Sequence, residues 1–97
     1  MRYGKQYAVY IMSNAHRTVF YIGVTGNLPK RVAQHQQGQG SRFTAKYNCY
    51  HLIYYETFQQ ARTAIAREKN LKNWHRTWKI NLIRQCNPEL KDLSADW

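Results

Sequence analysis

Hydrophobic and polar positions fall into blocks whose period changes along the chain. Tyr7 to Met12 (YAVYIM) is a run of aromatic, β-branched and small apolar residues, which predicts a strand. Polar Ser13-Asn14-Ala15-His16-Arg17 follows, and Val19 to Val24 (VFYIGV) predicts a second strand, stopped by Thr25-Gly26-Asn27. So short a connection favours an antiparallel hairpin. A symmetric four-residue loop would set Ser13 opposite Thr18, and so Tyr10 opposite Tyr21.

Asn27 can cap a helix with Pro29 in its first turn, running to about Gln37 and ending at Gly38-Gln39-Gly40. Arg42 to Tyr47 is a basic, aromatic connection with room for one helical turn. Tyr50 to Glu56 (YHLIYYE) predicts a third strand, and Thr57 to Gln85 reads as helix, divided near Asn73-Trp74. Asn87-Pro88 closes that region, and Leu90, Leu93 and Trp97 are positioned to pack the tail back. The expected fold class is therefore α+β: a small three-stranded, mostly antiparallel sheet flanked by helices, in the order β-β-α-β-α-α. With 97 residues and no linker or repeat, the chain fits one domain with its core over residues 7–93.

Three groups of polar residues fall on faces that should be apolar. In the first helix Leu28 and Val32 share one face, and Arg31 and His35 fall on it too. In the later helix the stripe Ala61, Ala64, Ile65, Leu71 has Glu68 in its middle. Buried charge needs a partner. Arg31 could snorkel, His35 could cap a helix end, and Glu68 could pair with Arg31 or Lys72; the alternative is that all three line one cleft. The third group is Tyr10 and Tyr21, on one sheet face if the hairpin register holds. Gly23 beside them marks close approach by a ligand or by backbone.

Charge sharpens this picture. Fifteen Lys and Arg against five Asp and Glu give a formal +10, which favours a polyanionic partner. No carboxylate precedes Glu56, and between it and Glu89, Asp92 and Asp96 of the tail stands only Glu68. A lone inward carboxylate facing phosphate suits Mg²⁺, which binds through one or two carboxylates with water and substrate oxygens. Cys49 and Cys86 have neither metal-site nor disulfide-scaffold spacing and read as idle thiols in reducing surroundings. The N-terminal Met-Arg-Tyr-Gly-Lys-Gln has no apolar signal core, and no stretch is long enough to span a bilayer, so a cytoplasmic location without membrane contact is expected.

Ala8-Val9-Tyr10, ten intervening residues and Tyr21-Ile22-Gly23 resemble the paired motif of the GIY-YIG nucleases. Asn27 to His35 is similar to that family's first helix, with its arginine and downstream histidine. Ala66-Arg67-Glu68-Lys69 resembles the segment bearing the metal-binding glutamate. Lys72-Asn73-Trp74, Lys79 and Asn87-Pro88 through Asp92-Leu93 resemble its short stand-alone bacterial branch, similar to the nuclease subunit of the excision-repair excinuclease. The resemblance spans Tyr7 to Leu93. It implies a divalent-metal-dependent endonuclease acting on DNA, with RNA also open, on structured or damaged substrates in repair or recombination. One Mg²⁺ or Mn²⁺ would sit on Glu68, with Tyr10 as general base or water-orienting group and Tyr21 on phosphate or water. Arg31 would stabilise phosphate charge and His35 would take or relay a proton. A phenol with an ordinary pKa of about 10 is a poor base, so nearby Arg31 and the metal would have to lower it. Gly23, Thr25, Lys30, Arg42 and Lys46 are the candidate substrate contacts, and Asn87 is assigned to steady the site from its far end. Ala8 stands where the motif has glycine, and Val24 where some members carry lysine; Lys30, Arg17 or Arg42 are the candidates to supply that charge.

Two other readings compete. Arg42-Phe43, Lys46-Tyr47 and Trp74-His75-Arg76 interleave cations with aromatics, as a non-catalytic nucleic-acid-binding domain of this fold would. A basic adaptor using its last helix on an acidic protein is the other. The pattern is compatible with a monomer or a weak dimer.

Overall fold

The computed structural model describes residues 6–97; the first five, and with them most of the N-terminal stretch read above as free of a signal core, lie outside the described residues. The elements are β1 (Tyr7–Ser13), β2 (Phe20–Thr25), α1 (Leu28–Gln36), α2 (Arg42–Lys46), β3 (His51–Phe58), α3 (Ala61–Lys72) and α4 (Arg76–Cys86). β1 is the centre of a three-stranded sheet ordered β2-β1-β3, and both pairings are antiparallel. The expected order β-β-α-β-α-α holds, with the basic connection forming the short extra helix α2.

The hairpin register differs from the symmetric-loop expectation by two residues. Ser13 faces Phe20, so Tyr10 lies opposite Gly23 and Met12 opposite Tyr21. The loop is wider because Asn14 gathers it: its Oδ1 accepts from the Thr18 and Val19 amides at 2.9 and 3.1 Å, and its amide nitrogen donates to Thr18 Oγ1. Side chains alternate with period two, so an even shift keeps Tyr10 and Tyr21 on the same face as neighbours on a diagonal.

The two faces carry separate cores. Val9, Ile11, Ile22, Ile53 and Tyr54 pack against Ala64 and Leu71 of α3 and Ile83 of α4. Tyr10, Met12 and Leu52 pack against Val32 of α1 and Cys49. Between Ile11 and Met12 the pairing with β3 slips by one residue, which makes Ile53 the extra residue of a bulge. Ile53 and Tyr54 can then both serve the α3 face while Leu52 serves the other, which explains three consecutive buried residues in one strand.

Three expectations are corrected here. Thr57 and Phe58 extend β3, because their partners Ala8 and Tyr7 in β1 offer ladder bonds, and α3 begins only at Ala61. Ile65 is 41% exposed; the buried positions of α3 are Ala64 and Leu71. The tail is held by polar contacts more than by Leu93 and Trp97, which stay 36% and 58% exposed. Asp92 accepts from the Leu52 amide, the Ser94 amide and the Ser94 hydroxyl, and Leu93 N–H donates to Leu52 C=O at 2.7 Å.

Candidate active site

α1 is cut to length at both ends. Asn27 accepts from the Lys30 amide, and Pro29 occupies the first turn, where no N–H is needed. At the far end Gly38 takes φ +76°, its N–H donates to His35 C=O, and the Gln39 N–H reaches back to Gln34 C=O at 2.8 Å. This left-handed cap requires glycine and turns the chain sharply after His35. Val32 is then buried against the sheet, with Arg31 and His35 beside it on the same face, as expected.

Three of the polar side chains read from the sequence, His35, Arg31 and Tyr21, meet around the Tyr10 phenol. Tyr10 Oη lies 2.8 Å from His35 Nε2, and Arg31 Nε donates to the same oxygen at 3.3 Å. The rings of Tyr10 and Tyr21 stand 6.3 Å apart and each lies within 5.5 Å of the His35 ring. Gly23 makes this possible. A Cβ there would lie 2.5 Å from Tyr10 Cζ and overlap the hydroxyl, so the phenol crosses the strand only where a side chain is missing. Gly23→Ala is expected to displace Tyr10 at a cost of about 1–3 kcal/mol, read as a lower urea midpoint; unchanged stability with native cleavage would contradict this.

His35 is fully buried and its other nitrogen, Nδ1, lies 2.9 Å from Thr44 Oγ1. The donors sort themselves consistently. Thr44 Oγ1 donates to Ser41 C=O at 3.3 Å, leaving its lone pairs for His35 Nδ1–H. Tyr10 Oη already accepts from Arg31, so its own proton goes to His35 Nε2. The neutral imidazole therefore presents an unprotonated Nε2 to the phenol, with the tautomer fixed from behind. Ser41 caps α2 by accepting from the Thr44 amide, which holds Thr44 in place, and a Cβ on Gly40 would overlap the His35 ring. Thr44, Ser41 and Gly40 were not assigned from the sequence. Only the Ser-x-x-Thr cap spacing announced them.

Burial, then the neighbouring Arg31 charge, pushes the His35 pKa down to about 4. The unfolded chain takes up this proton near pH 6.5, whereas the folded protein resists it until about pH 4. The folded state thus binds fewer protons in that window, and stability falls as pH drops through it, by up to about 3 kcal/mol. Urea midpoints at pH 7 and 4.5 should fall more for the native protein than for His35→Gln; parallel losses would contradict the assignment. Burial likewise pushes Tyr10 up to about 12, against the lowering by Arg31 and aided by Tyr21 and Glu68. The resemblance requires Arg31 and the metal together to lower the Tyr10 pKa; without an ion, burial outweighs Arg31 and Tyr10 is a protonated phenol.

Glu68 comes from the opposite layer, on α3, near enough to Tyr10 for its charge to act on the phenol. Its side chain is 14% exposed and pairs with Lys72 at 2.8 Å, an i,i+4 partner that is itself half exposed. Such pairs on one helix contribute only about 0.3–0.5 kcal/mol, so Lys72 is easily displaced by a stronger cation. The other carboxylates near the sheet are occupied. Glu56 is held bidentately by Arg67 at 2.9 Å and by the Tyr54 hydroxyl, and Asp92 by its tail contacts and His51. Among the described residues no three His, Cys, Asp or Glu side chains converge as a metal cage. A single nearly covered carboxylate fits a divalent ion that completes its shell with water and phosphate oxygens. Arg31 has no carboxylate partner among the described residues, and its hydrogen bonds to Tyr10 and Tyr21 raise its pKa. It is a permanent cation at the cleft, shaped for phosphate.

The candidate substrate contacts divide. Lys30, Arg42 and Lys46 are exposed. Thr25 Oγ1 is engaged with the Asn27 backbone and shapes the turn into α1, and Gly23 serves Tyr10. Asn87 is a correction: it is buried, donating to Ile53 C=O and Lys91 C=O and accepting from the Lys91 amide, so it ties the tail to β3 with no group left for substrate. Arg17 is spent on Leu90, Asn14 and Ala15 carbonyls and cannot stand in for a lysine at Val24. Arg76 donates to Thr18 C=O and lies over the Phe20 ring, while Trp74 Nε1 donates to Asn70 and Arg67 lies over the Trp74 ring.

The model of the GIY-YIG catalytic domain matches residues 6–81. A UPF0213 protein of Natronomonas pharaonis is 35% identical over 75 residues, covering 77% of this chain and 87% of its own. UPF0213 proteins of Pediococcus pentosaceus and Clostridium perfringens are 33% and 36% identical, covering 87% and 77% of this chain and 87% and 80% of their own. The NMR structure of a UPF0213 protein from Bacillus halodurans shares the fold, with a TM-score of 0.58 and 21% identity over 92% of this chain and 94% of that one. With its motif pair, its helix-borne arginine and histidine and its nuclease-type domain, the chain belongs to the GIY-YIG family, among the short UPF0213 proteins.

Proposed function

We propose that this protein is a divalent-metal-dependent endonuclease that hydrolyses phosphodiester bonds of DNA. The observation that carries the reading is the meeting of His35 and Arg31 on the Tyr10 phenol, with the nearly covered Glu68 carboxylate close enough for its charge to act on that phenol.

Glu68 is the residue that holds the ion, Mg²⁺ or Mn²⁺. When bound, the ion supplies Lewis-acid polarisation of the scissile phosphate and charge stabilisation at the leaving 3′ oxygen. Tyr10 positions a water against phosphorus. As the water oxygen bonds to phosphorus and the bond from phosphorus to the 3′ oxygen breaks, the water proton passes to Tyr10 Oη, the phenolic proton passes to His35 Nε2, and the departing 3′ alkoxide takes a proton from solvent. Burial pushes Tyr10 up to about 12 in the protein without an ion, so the phenol rests protonated, and neutral His35 is placed to take its proton. Arg31 neutralises charge gathering on the phosphate oxygens, and Tyr21 hydrogen-bonds phosphate or the ordered water. Thr44 keeps His35 in the receiving tautomer. Lys30, Arg42 and Lys46 attract the backbone, in keeping with a charge of +10.

The reading extends to one 97-residue catalytic unit acting in the cytoplasm on structured or damaged DNA. No helix among the described residues is long and apolar enough to cross a membrane. The test is cleavage of plasmid and branched DNA with Mg²⁺ by the native protein, Arg31→Ala and Glu68→Ala. Equal cutting by all three would sink the assigned site, and binding without cutting of any form would favour a non-catalytic DNA-binding module.

A further inference from the structure

Phe43 in α2 and Tyr47 at its C-terminal cap lie four residues apart, with ring centroids 4.8 Å apart. They are 42% and 41% exposed, which makes them poor contributors to either core. Phe43 stands 5.9 Å from the Tyr21 ring at an interplanar angle of 32°, and Tyr21 stands 5.3 Å from His35. A stepped line of rings therefore runs from the proton relay out to solvent. Arg42 and Lys46 flank it, both exposed, with Lys46 Nζ 5.3 Å from the Tyr47 centroid. No carboxylate occurs in the chain before Glu56, so nothing local opposes an approaching phosphate.

Apolar protein partners gain little from a surface so interleaved with cations. Aromatic faces between backbone-binding cations suit a nucleic-acid strand whose bases are free to stack. We infer that Phe43 and Tyr47 form a stacking platform for an unpaired base next to the scissile phosphate, which makes single strands, flaps and gaps better substrates than continuous duplex. The inference rests on the nuclease reading for the word scissile; the stacking itself is independent of cleavage. In a continuous duplex both faces of every base are covered by its neighbours, so the platform has nothing to receive. At a flap or gap one face is free, Tyr47 and Phe43 cover it, and Arg42 and Lys46 hold the adjoining phosphates. Because every base has a π-face, this selects strand state and leaves base identity unread.

The experiment measures binding of 2-aminopurine-labelled DNA to Glu68→Ala protein, so that cutting does not interfere, and repeats it after adding Phe43→Leu and Tyr47→Leu. Single-stranded and flapped DNA should bind about tenfold more tightly than fully paired duplex at equal salt. The added substitutions should remove most of that preference and the accompanying fluorescence change, with duplex affinity unchanged; melting confirms that the fold is kept. Equal affinity for paired and unpaired DNA would overturn the inference, as would an undiminished preference without Phe43 and Tyr47. A native dimer that the substitutions dissociate would assign the patch to self-association and likewise overturn it. Preference for unpaired DNA in a native protein that cuts nothing would leave the platform standing and remove the nuclease reading; cutting without preference would do the reverse.

Discussion

Glu68→Ala is expected to reduce cleavage by about 10³-fold or more while leaving DNA binding at native strength. The expectation follows from where Glu68 sits. It is nearly covered, its charge acts on the Tyr10 phenol, and its partner Lys72 is a half-exposed neighbour on the same helix. Removing it takes away the residue that holds the ion, and the surrounding positive charge then has less to oppose it, so phosphate affinity does not fall. Stability should change little, because the lost pair is weak. Single-turnover cleavage and filter binding on the same preparation separate the two effects. A carboxylate serving only the helix would give a variant that cuts at the native rate.

Tyr10→Phe carries the next largest effect. The substitution deletes one oxygen that meets both the Arg31 Nε donor and the His35 Nε2 acceptor. Leaving His35 Nε2 without a partner in a buried site costs about 1–3 kcal/mol of stability. Loss of proton transfer from the attacking water costs about 10²–10⁴ in rate. The two are separable: melting reports the first, and single-turnover cleavage well below the melting temperature reports the second. A folded Tyr10→Phe protein that cuts at the native rate would show that the phenol serves only to fill the cleft.

How much of this was legible in the sequence follows from what each feature depends on. Arg31 and His35 could be read because helical spacing ties them to Val32, and that spacing is local. Glu68 could be read for the same reason, from Ala64 and Leu71, even though Ile65 turned out exposed. Tyr10 and Tyr21 survived an incorrect register because the error was two residues, and only an odd slip would have separated them. Thr44 and Gly40 were hidden because they reach His35 through the return of the chain after Gly38, a path no periodicity encodes. The protonation of Tyr10 was hidden because burial is a tertiary property, and it outweighs the arginine that the sequence did reveal. Asn87 was placed in the site on resemblance alone, and its three backbone contacts put it in the tail instead.

The central claim is that this cleft cuts phosphodiester bonds with the help of one divalent ion. It is tested most directly by incubating the native protein with end-labelled single-stranded, flapped, gapped and duplex DNA, in Mg²⁺, in Mn²⁺ and in EDTA, and analysing the product ends. The account predicts cutting of at least one form, dependent on added metal, leaving a 3′ hydroxyl and a 5′ phosphate. Binding of every form with no cutting of any, or cutting that persists undiminished in EDTA, would contradict it.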